Sequence, residues 1–516
     1  MAYVFTPSQM KTLDENTINC FGIPASILME NAGRGCADFL INNYPEESKG
    51  VIIILHGYGN NSGDGFVLAR WLQNYGKQVI LLQVQKGEMT EETRHNFKLC
   101  KALKMPTFEL NKEYDNLDIL ENVPGVTMII DAVFGTGFKG KLPSSLKKIF
   151  QSVDDTSALK VAIDIPSGLN GATGEGEDAF RADVTLTLHS YKMGFFLREG
   201  KIKCGKVYTI PIGIPEHYND AFFTPAIFID NKTFRLPERY YYANKSNYGR
   251  VFIIGGSYGL LGAAALATRA ALRAGAGLVY LISREENKYF YNANPAEFLF
   301  IGIPRIEGTL TPDLKLFTTL FKTADSVVIG PGLGSDNYGT YMLEYILRTS
   351  TVPTVVDADA LRIIAKDPSL QQYLKKPNIL LTPHLGEFCT LTDMDMDKLV
   401  KDIPTALENY IKKTGAKVLL KSDTTIFSDG KRMFINISGN DGLATGGSGD
   451  VLAGIIGSFC GQKMELGEAA INASFIMGKT AEELAKQRYF PSILPTDIIE
   501  NLFMPLKNES LSSPEG

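Results

Sequence analysis

The chain has 516 residues and a mass of 56.6 kDa, 44% hydrophobic and 21% charged, which predicts two or three domains and excludes general disorder. Lys and Arg total 52 against 57 Asp and Glu, and this net charge of −5 argues against a nucleic-acid binder or an anionic-membrane binder. Glycine is the outlier, 49 residues where about 7% is usual, and it serves turns and loops where backbone approaches a ligand.

The six cysteines, Cys20, Cys36, Cys100, Cys204, Cys389 and Cys460, include no CxxC pair, so zinc and dithiol readings fail and a reducing cytosol is expected. The N-terminus lacks a basic segment followed by an apolar core, so no secretory signal is expected. The long uncharged stretch Val251–Thr268 carries Gly255, Gly256, Gly259 and Gly262, which suits a strand, a glycine loop and a helix start better than a membrane span.

In chain order, strands are expected at 51–57, 78–84, 126–134, 160–166 and 183–189, separated by amphipathic helix-length stretches. Continuous apolar strands alternating with helices imply a parallel sheet covered on both faces, with ligands at the carboxyl ends of the strands. Residues 211–249, with four prolines, read as the crossing between domains, with one short strand, AIFID, inside. The alternation restarts at 250–256, 277–283, 326–332, 354–359 and 378–384. VLLKSDTTIF and MFINIS read as a later antiparallel pair. A glycine-rich segment, 439–450, opens a long apolar helix, and another helix follows at 467–486. The last residues, 508–516, read as a disordered polar tail.

Three common patterns appear, and two of them fail. Gly135 to Lys141 fits GxxxxGK, but Leu142 stands where a P-loop needs Ser or Thr. Gly57-Tyr58-Gly59 lacks the correctly spaced third glycine of a dinucleotide fold, and Gln83 occupies the place of the ribose-binding acid. Gly255-Gly256-Ser257-Tyr258-Gly259 is a formal GxSxG, followed by Asp357 or Asp359 and then His384 in α/β-hydrolase order, so a serine hydrolase stays open as a rival.

Polar clusters at strand ends carry the chemistry. Asn60, Asn61, Ser62, Gly63 and Asp64 follow the first strand. Asp131 ends another and precedes the loop Gly135, Thr136, Gly137, Phe138, Lys139, Gly140 and Lys141. Asp164 ends a third, before Ile165-Pro166-Ser167-Gly168, and Lys192 is a candidate cationic partner. A lone Asp at a strand end is usually a helix cap; three clusters at neighbouring ends point to one pocket. In the second half, Thr445-Gly446-Gly447-Ser448-Gly449-Asp450 opens a helix, where backbone N–H groups bind phosphate and Asp450 can deprotonate an attacking hydroxyl.

The segments LMENAGRG, GYGNNSGDG, DAVFGTGFKG and DIPSGL resemble the epimerase domain of the bifunctional NAD(P)H-hydrate repair enzymes. GGSYGLLGAAALATRAALRAGAG, IGPGLG, VVDADAL, LTPHLGEF, LLKSDTTI and GGSGD resemble their dehydratase domain, of ribokinase-like fold. The resemblance implies an α/β protein with a Rossmann-like three-layer parallel-sheet domain over 1–215, a linker at 216–240 and a ribokinase-like α/β domain over 241–507. It implies that Asn60 to Asp64, Gly135 to Lys141 and Asp164 bind hydrated NADH or NADPH, with Asp164 and Lys192 catalytic. Asn61, Asp131 and Ser167 fall to a potassium ion. Ala263, Gly332, His384 and Asp450 fall to substrate in the second domain, with Asp450 catalytic. Lys421, Ser422, Asp423, Thr424, Thr425 and Gly449 fall to ADP or ATP, with Mg²⁺. Ser62 and Ser422 depart from the family's NNGGD and KGxxT patterns, and Ser62 would be strained if that position needs a positive φ. The expected activity is repair of hydrated NAD(P)H: exchange of its R and S epimers, then nucleotide-dependent dehydration of the S form. A cytoplasmic homo-oligomer without nucleic-acid or membrane partners is expected. A small-molecule kinase and a non-catalytic nucleotide-binding protein are the other open classes.

Overall fold

The computed structural model describes residues 2–109, 123–219, 224–240, 242, 244–292, 297–307, 309 and 311–506. The expected tail at 508–516 lies outside them. The chain divides into two compact units, one over Ala2–Pro225 and one from Ala226 onward.

In the first unit the strands are β1 (Ala2–Phe5), β2 (Val51–His56), β3 (Gln78–Gln83), β4 (Thr107–Glu109), β5 (Val126–Ala132), β6 (Leu159–Ile163), β7 (Val184–Leu188), β8 (Tyr191–Lys192) and β9 (Lys206–Ile210). Among the described residues, a seven-stranded sheet runs β4-β3-β2-β5-β6-β7-β9, and each adjacent pair is parallel. Side chains alternate across β2. Ile52 and Ile54 join Cys36, Leu40, Phe66 and Leu72 in one apolar cluster, and Ile53 and Leu55 join Leu146, Ile149 and Phe150 in another. The sheet is therefore buried on both faces, which explains its continuous apolar strands. The strands at β1, β4, β8 and β9 were not legible in the sequence; none exceeds five residues.

Chain order reverses between β2 and β5, because β3 and β4 continue on one side of β2 while β5 and β6 continue on the other. The loops leaving the two strands diverge there and open a crevice. One wall is the helix Asn60–Asn74, seated on the helix Ala25–Asn43. A Cβ at Gly33 would stand 2.5 Å from Val67 Cβ and 2.6 Å from Asp64 O, so the helices touch backbone to side chain and only glycine fits.

In the second unit the strands are β10 (Ala226–Phe228), β11 (Arg250–Ile254), β12 (Leu278–Arg284), β13 (Leu299–Ile303), β14 (Ser326–Ile329), β15 (Thr354–Val356), β16 (Ile379–Leu381), β17 (Lys417–Leu420), β18 (Thr425–Ser428) and β19 (Met433–Asn436). They run in the order β13-β12-β11-β14-β15-β16-β17-β18-β19-β10, parallel from β13 to β17 and antiparallel from β17 through β19. Chain order again reverses, here between β11 and β14. Val251, Ile253, Val328, Val355 and Leu419 pack in one cluster with Val451, Ile455 and Phe459 of the helix Ser448–Gly461.

Three differences from the sequence reading have local causes. VLLKSDTTIF is a hairpin of β17 and β18, not one strand, because Ser422 Oγ bonds the Thr424 backbone and turns the chain at 421–424. Residues 226–240, expected in the linker, fall with the second unit, where β10 pairs with β19. Leu299–Ile303 adds an unexpected edge strand beside β12. The stretch Val251–Thr268 is a strand, a glycine turn and a helix start, and among the described residues no helix is long and apolar enough to cross a membrane.

Gly33→Ala is expected to lower the stability of the first unit by about 1–3 kcal/mol through overpacking, measured by denaturant unfolding of the full chain.

Candidate functional site

The crevice of the first unit is a cavity of about 960 Å³. Its walls include Asn60, Asn61 and Asp64 after β2, Phe134 to Lys139 and Lys141 after β5, Asp164 after β6, and Lys192 in β8. The expected strand-end clusters thus meet in one place. Phe134 and Phe138 stack at 4.8 Å between ring centroids, giving an apolar wall suited to a planar ring. Lys139 and Lys141 are exposed at its lining.

Asp164 sits at φ 66°, a left-handed conformation that costs a non-glycine residue energy. Its Oδ1 accepts from Lys192 Nζ at 2.6 Å, and the lysine, 1% exposed, also donates to Thr187 Oγ1 and Leu188 O, both at 2.8 Å. A Cβ at Gly135 would stand 3.4 Å from both Asp164 Oδ2 and Asn61 Cβ, so this loop closes directly over the acid.

Asp131 is fully buried and accepts from Ser167 Oγ at 2.6 Å, Ser167 N at 2.7 Å and Val133 N at 3.1 Å. Burial pushes its carboxyl up to about 6, with the Ser167 bonds opposing. Asn61 Nδ2 donates to Phe134 O at 3.0 Å, and Ser167 Oγ lies 3.2 Å from the same carbonyl. Asn61 Oδ1 is buried without a hydrogen-bond partner. An orphaned amide oxygen beside a carboxylate, a hydroxyl and a carbonyl is the hard-oxygen set a cation such as K⁺ takes. Among the described residues, no group of three or more His, Cys, Asp or Glu side chains is placed to hold a metal ion.

Ser62, Gly63 and Gly140 do not line the cavity. Ser62, fully buried, accepts from Gly57 N at 2.9 Å and donates to Ala132 O at 2.8 Å, so it ties the ends of β2 and β5 together. Its φ is not positive, and the expected strain is absent. Gly63 is pressed against Met29 and Thr93 instead of facing a ligand.

Asp14 is the residue that sequence reasoning missed. β1 pairs with β8, Phe5 opposite Lys192, and delivers the helix Pro7–Asn16 to the cavity. Pro7, Met10, Lys11 and Asp14, one face at helical spacing, line it. Burial pushes the Asp14 carboxyl up to about 6, Lys192 opposes this, and Asp164 adds to it. Asp64 is pushed well above the usual carboxylate range, chiefly by burial and then by Asp164.

In the second unit the loops after β11 and β14 interlock: Gly256 N donates to Pro331 O at 3.0 Å and Ser257 N to Gly332 O at 2.5 Å. A Cβ on Gly330, at φ 130°, would meet Asp357 O at 1.8 Å, so no other residue fits. Gly447, at φ 101°, caps the helix Ser448–Gly461 and leaves its first N–H groups pointing outward. Lys421 Nζ binds Asp357 Oδ1 at 2.7 Å, and a Cβ on Gly449 would lie 3.1 Å from that ammonium. An ammonium against a helix N-terminus is an arrangement that favours an anion such as phosphate. Burial first, then the charge of Asp357, raises the Asp450 carboxyl to about 7; Lys421 opposes, while Asp359 and Glu387 add to the rise.

His384 caps the helix Leu385–Thr392, its Nδ1 accepting from Gly386 N at 3.0 Å and Glu387 N at 3.3 Å. Its ring is 56% exposed, and its backbone bridges to Lys421. Ala263 is half-buried in the helix Leu261–Arg273, just after the Ser257 loop. Ser422 bonds its own turn, Asp423 and Thr424 share that turn, and Thr425 begins β18. The structure thus gathers Lys421, Gly449 and Asp450 closely and adds Asp357, which the sequence reading weighed only as a hydrolase acid. Asp357 holds Lys421, Asp359 accepts from Gly334 N at 3.0 Å, and among the described residues no hydrogen bond joins Ser257, His384 and either aspartate. The serine-hydrolase arrangement is therefore not formed.

A family model described as NAD(P)H-hydrate dehydratase matches residues 251–503, and one described as YjeF-related protein N-terminus matches residues 25–194. A bifunctional NAD(P)H-hydrate repair enzyme of Moorella thermoacetica is 32% identical over 98% of this chain and 97% of its own. One from Archaeoglobus fulgidus is 32% identical over 95% of this chain and 96% of its own. Among solved structures, a ribokinase-like superfamily protein from Enterococcus faecalis is 28% identical, covering 56% of this chain and 97% of its own, with a TM-score of 0.48. The expected fold classes, a Rossmann-like parallel-sheet domain and a ribokinase-like α/β domain, agree with the two sheets and the two family matches. Matched along nearly its whole length by relatives that carry both parts, the chain belongs to the family of bifunctional NAD(P)H-hydrate repair enzymes.

Proposed function

We infer that the chain repairs hydrated NADH and NADPH, exchanging the R and S epimers in its first unit and dehydrating the S epimer in its second. The observation that carries the dehydration is a carboxylate, Asp450, in the first turn of a helix whose N-terminus also meets the Lys421 ammonium. Hydration leaves a hydroxyl on C6 of the reduced ring, and hydroxide is a poor leaving group. Asp450 takes the hydroxyl proton as the oxygen attacks the terminal phosphoryl group of ADP or ATP. The N–H groups from Gly446 to Gly449 and Lys421 hold the phosphate and offset its developing charge. The ring nitrogen then expels phosphate, and loss of a C5 proton restores the double bond. Ala263, Gly332 and His384 flank the ring in this reading, and Ser422 to Thr425 lie along the nucleotide. Mg²⁺ is expected to arrive with the nucleotide phosphates.

In the first unit, Asn60, Asn61, Asp64 and the loop Gly135–Lys141 hold the hydrated nucleotide, and Asp164 with Lys192 does acid–base work at C6. The orphaned Asn61 Oδ1, Asp131 and Ser167 would hold K⁺, which supplies a fixed positive charge to an anionic ligand. Cys36, Cys100, Cys204 and Cys460 are buried free thiols, which supports a cytoplasmic location. A homo-oligomer belongs to the same reading and is read by light scattering.

Asp450→Asn is expected to lower nucleotide-dependent recovery of NADPH absorbance from hydrated NADPH by about 10²–10⁴-fold, while R/S exchange followed by chromatography stays within about twofold. Loss of both activities, or of neither, would overturn the assignment. A base works deprotonated, so kcat of recovery should rise as pH passes through about 7. Asp357→Asn removes a neighbouring negative charge and frees Lys421, so that rise should move to lower pH; a move to higher pH counts against Asp450 as the base.

A further inference from the structure

The cavity of the first unit holds three carboxylates, Asp14, Asp64 and Asp164, with one buried cation, Lys192. Lys192 donates to Asp164, which leaves Asp14 and Asp64 without that ion pair. Among the described residues, the Asp14 carboxylate has no hydrogen bond or salt bridge of its own, although its helix is fixed by the Thr6 cap and the pairing of β1 with β8. Its neighbour Leu13 is fully buried, which fixes the direction of the helix face that carries Pro7, Met10, Lys11 and Asp14 into the cavity. An unpartnered carboxyl group that a fixed helix presents to a cavity also lined by an ion-paired one has the makings of an acid beside a base.

We propose that Asp14 is the general acid of the epimerase site, an assignment that rests on the epimerase reading above. Asp164 takes the proton of the C6 hydroxyl, and the oxygen lone pair forms a carbonyl. The C6–N1 bond breaks, and N1 takes the Asp14 proton. The open aldehyde turns about the C5–C6 bond. N1 then closes on its other face, returning its proton to Asp14 while the oxygen recovers one from Asp164. No atom or electron is gained or lost overall, so the step needs no redox partner. Burial is the first cause that opposes ionisation of Asp14; among its charged neighbours Lys192 favours ionisation, Asp164, Glu15 and Asp64 oppose it, and Lys11, Lys139 and Lys141 also line the cavity.

An acid works protonated, so kcat of R/S exchange by the full chain should fall as pH rises above the Asp14 range. Asp14→Asn should lower that kcat about 100-fold or more, leave KM within about threefold, and abolish the alkaline fall of the profile. Asp14→Glu should recover part of the rate with a displaced fall, and it decides the matter if the Asn variant does not fold by circular dichroism. Nucleotide-dependent recovery from the S epimer should be unchanged in both. A kcat within twofold of the unsubstituted chain, or an alkaline fall that survives Asp14→Asn but vanishes in Asp64→Asn, overturns the proposal. Absence of exchange in the unsubstituted chain overturns the epimerase reading and this inference with it.

Discussion

A parallel sheet covered on both faces leaves little room for polar chemistry within it. Each strand interior is apolar, and its backbone groups are taken up by the ladder. Polar side chains are tolerated where strands end, and a gap for ligand opens where chain order reverses. Both units keep their polar groups at strand ends, and the first opens a gap there. In the first, the loops after β2 and β5 part around the cavity; in the second, the loops after β11 and β14 interlock beside the Asp450 helix. In the first unit Asn61, Asp131 and Asp164, far apart in sequence, are neighbours because they stand at the ends of the adjacent strands β2, β5 and β6, while Asp14 and, in the second unit, Asp450 arrive on helices.

What the sequence made legible follows from the same constraint. Strand-end loops combine apolar runs with glycine and acid, a contrast visible in one dimension, so Asn60 to Asp64, Asp131, Asp164 and Asp450 could be found. Asp14 could not. It lies on an ordinary amphipathic helix, and only the short pairing of β1 with β8 brings that helix to Lys192. Ser62 was legible as part of the loop but not in its direction, because its hydroxyl turns inward to tie two strand ends. Gly33 escaped the reading of glycine as a loop residue: it is a site of helix contact. The hairpin at 421–424 was hidden because its turn, Lys421-Ser422-Asp423-Thr424, contains neither glycine nor proline.

Electrostatics ties the two sites together more closely than their folds do. Each gathers several carboxylates near a buried or half-buried lysine: Asp14, Asp64 and Asp164 with Lys192, and Asp450 with Lys421, Asp357, Asp359 and Glu387 about it. Buried negative charge is costly, and burial accordingly raises the carboxyls of Asp14, Asp64 and Asp450 above the usual range. A surplus of acids over bases therefore keeps proton donors and acceptors available without histidine. The five histidines of the chain accord with that, for the one nearest the second site, His384, caps a helix.

The left-handed backbone at Asp164 carries a conformational cost that glycine would avoid at φ 66°. The ion pair offsets it, because Lys192, 1% exposed, would otherwise keep a buried charge without a counter-ion. Glycine here would relieve the backbone and strand the lysine. The acid and the lysine can therefore be exchanged only as a pair, and relaxing one backbone angle alone removes both the chemistry and part of the stability.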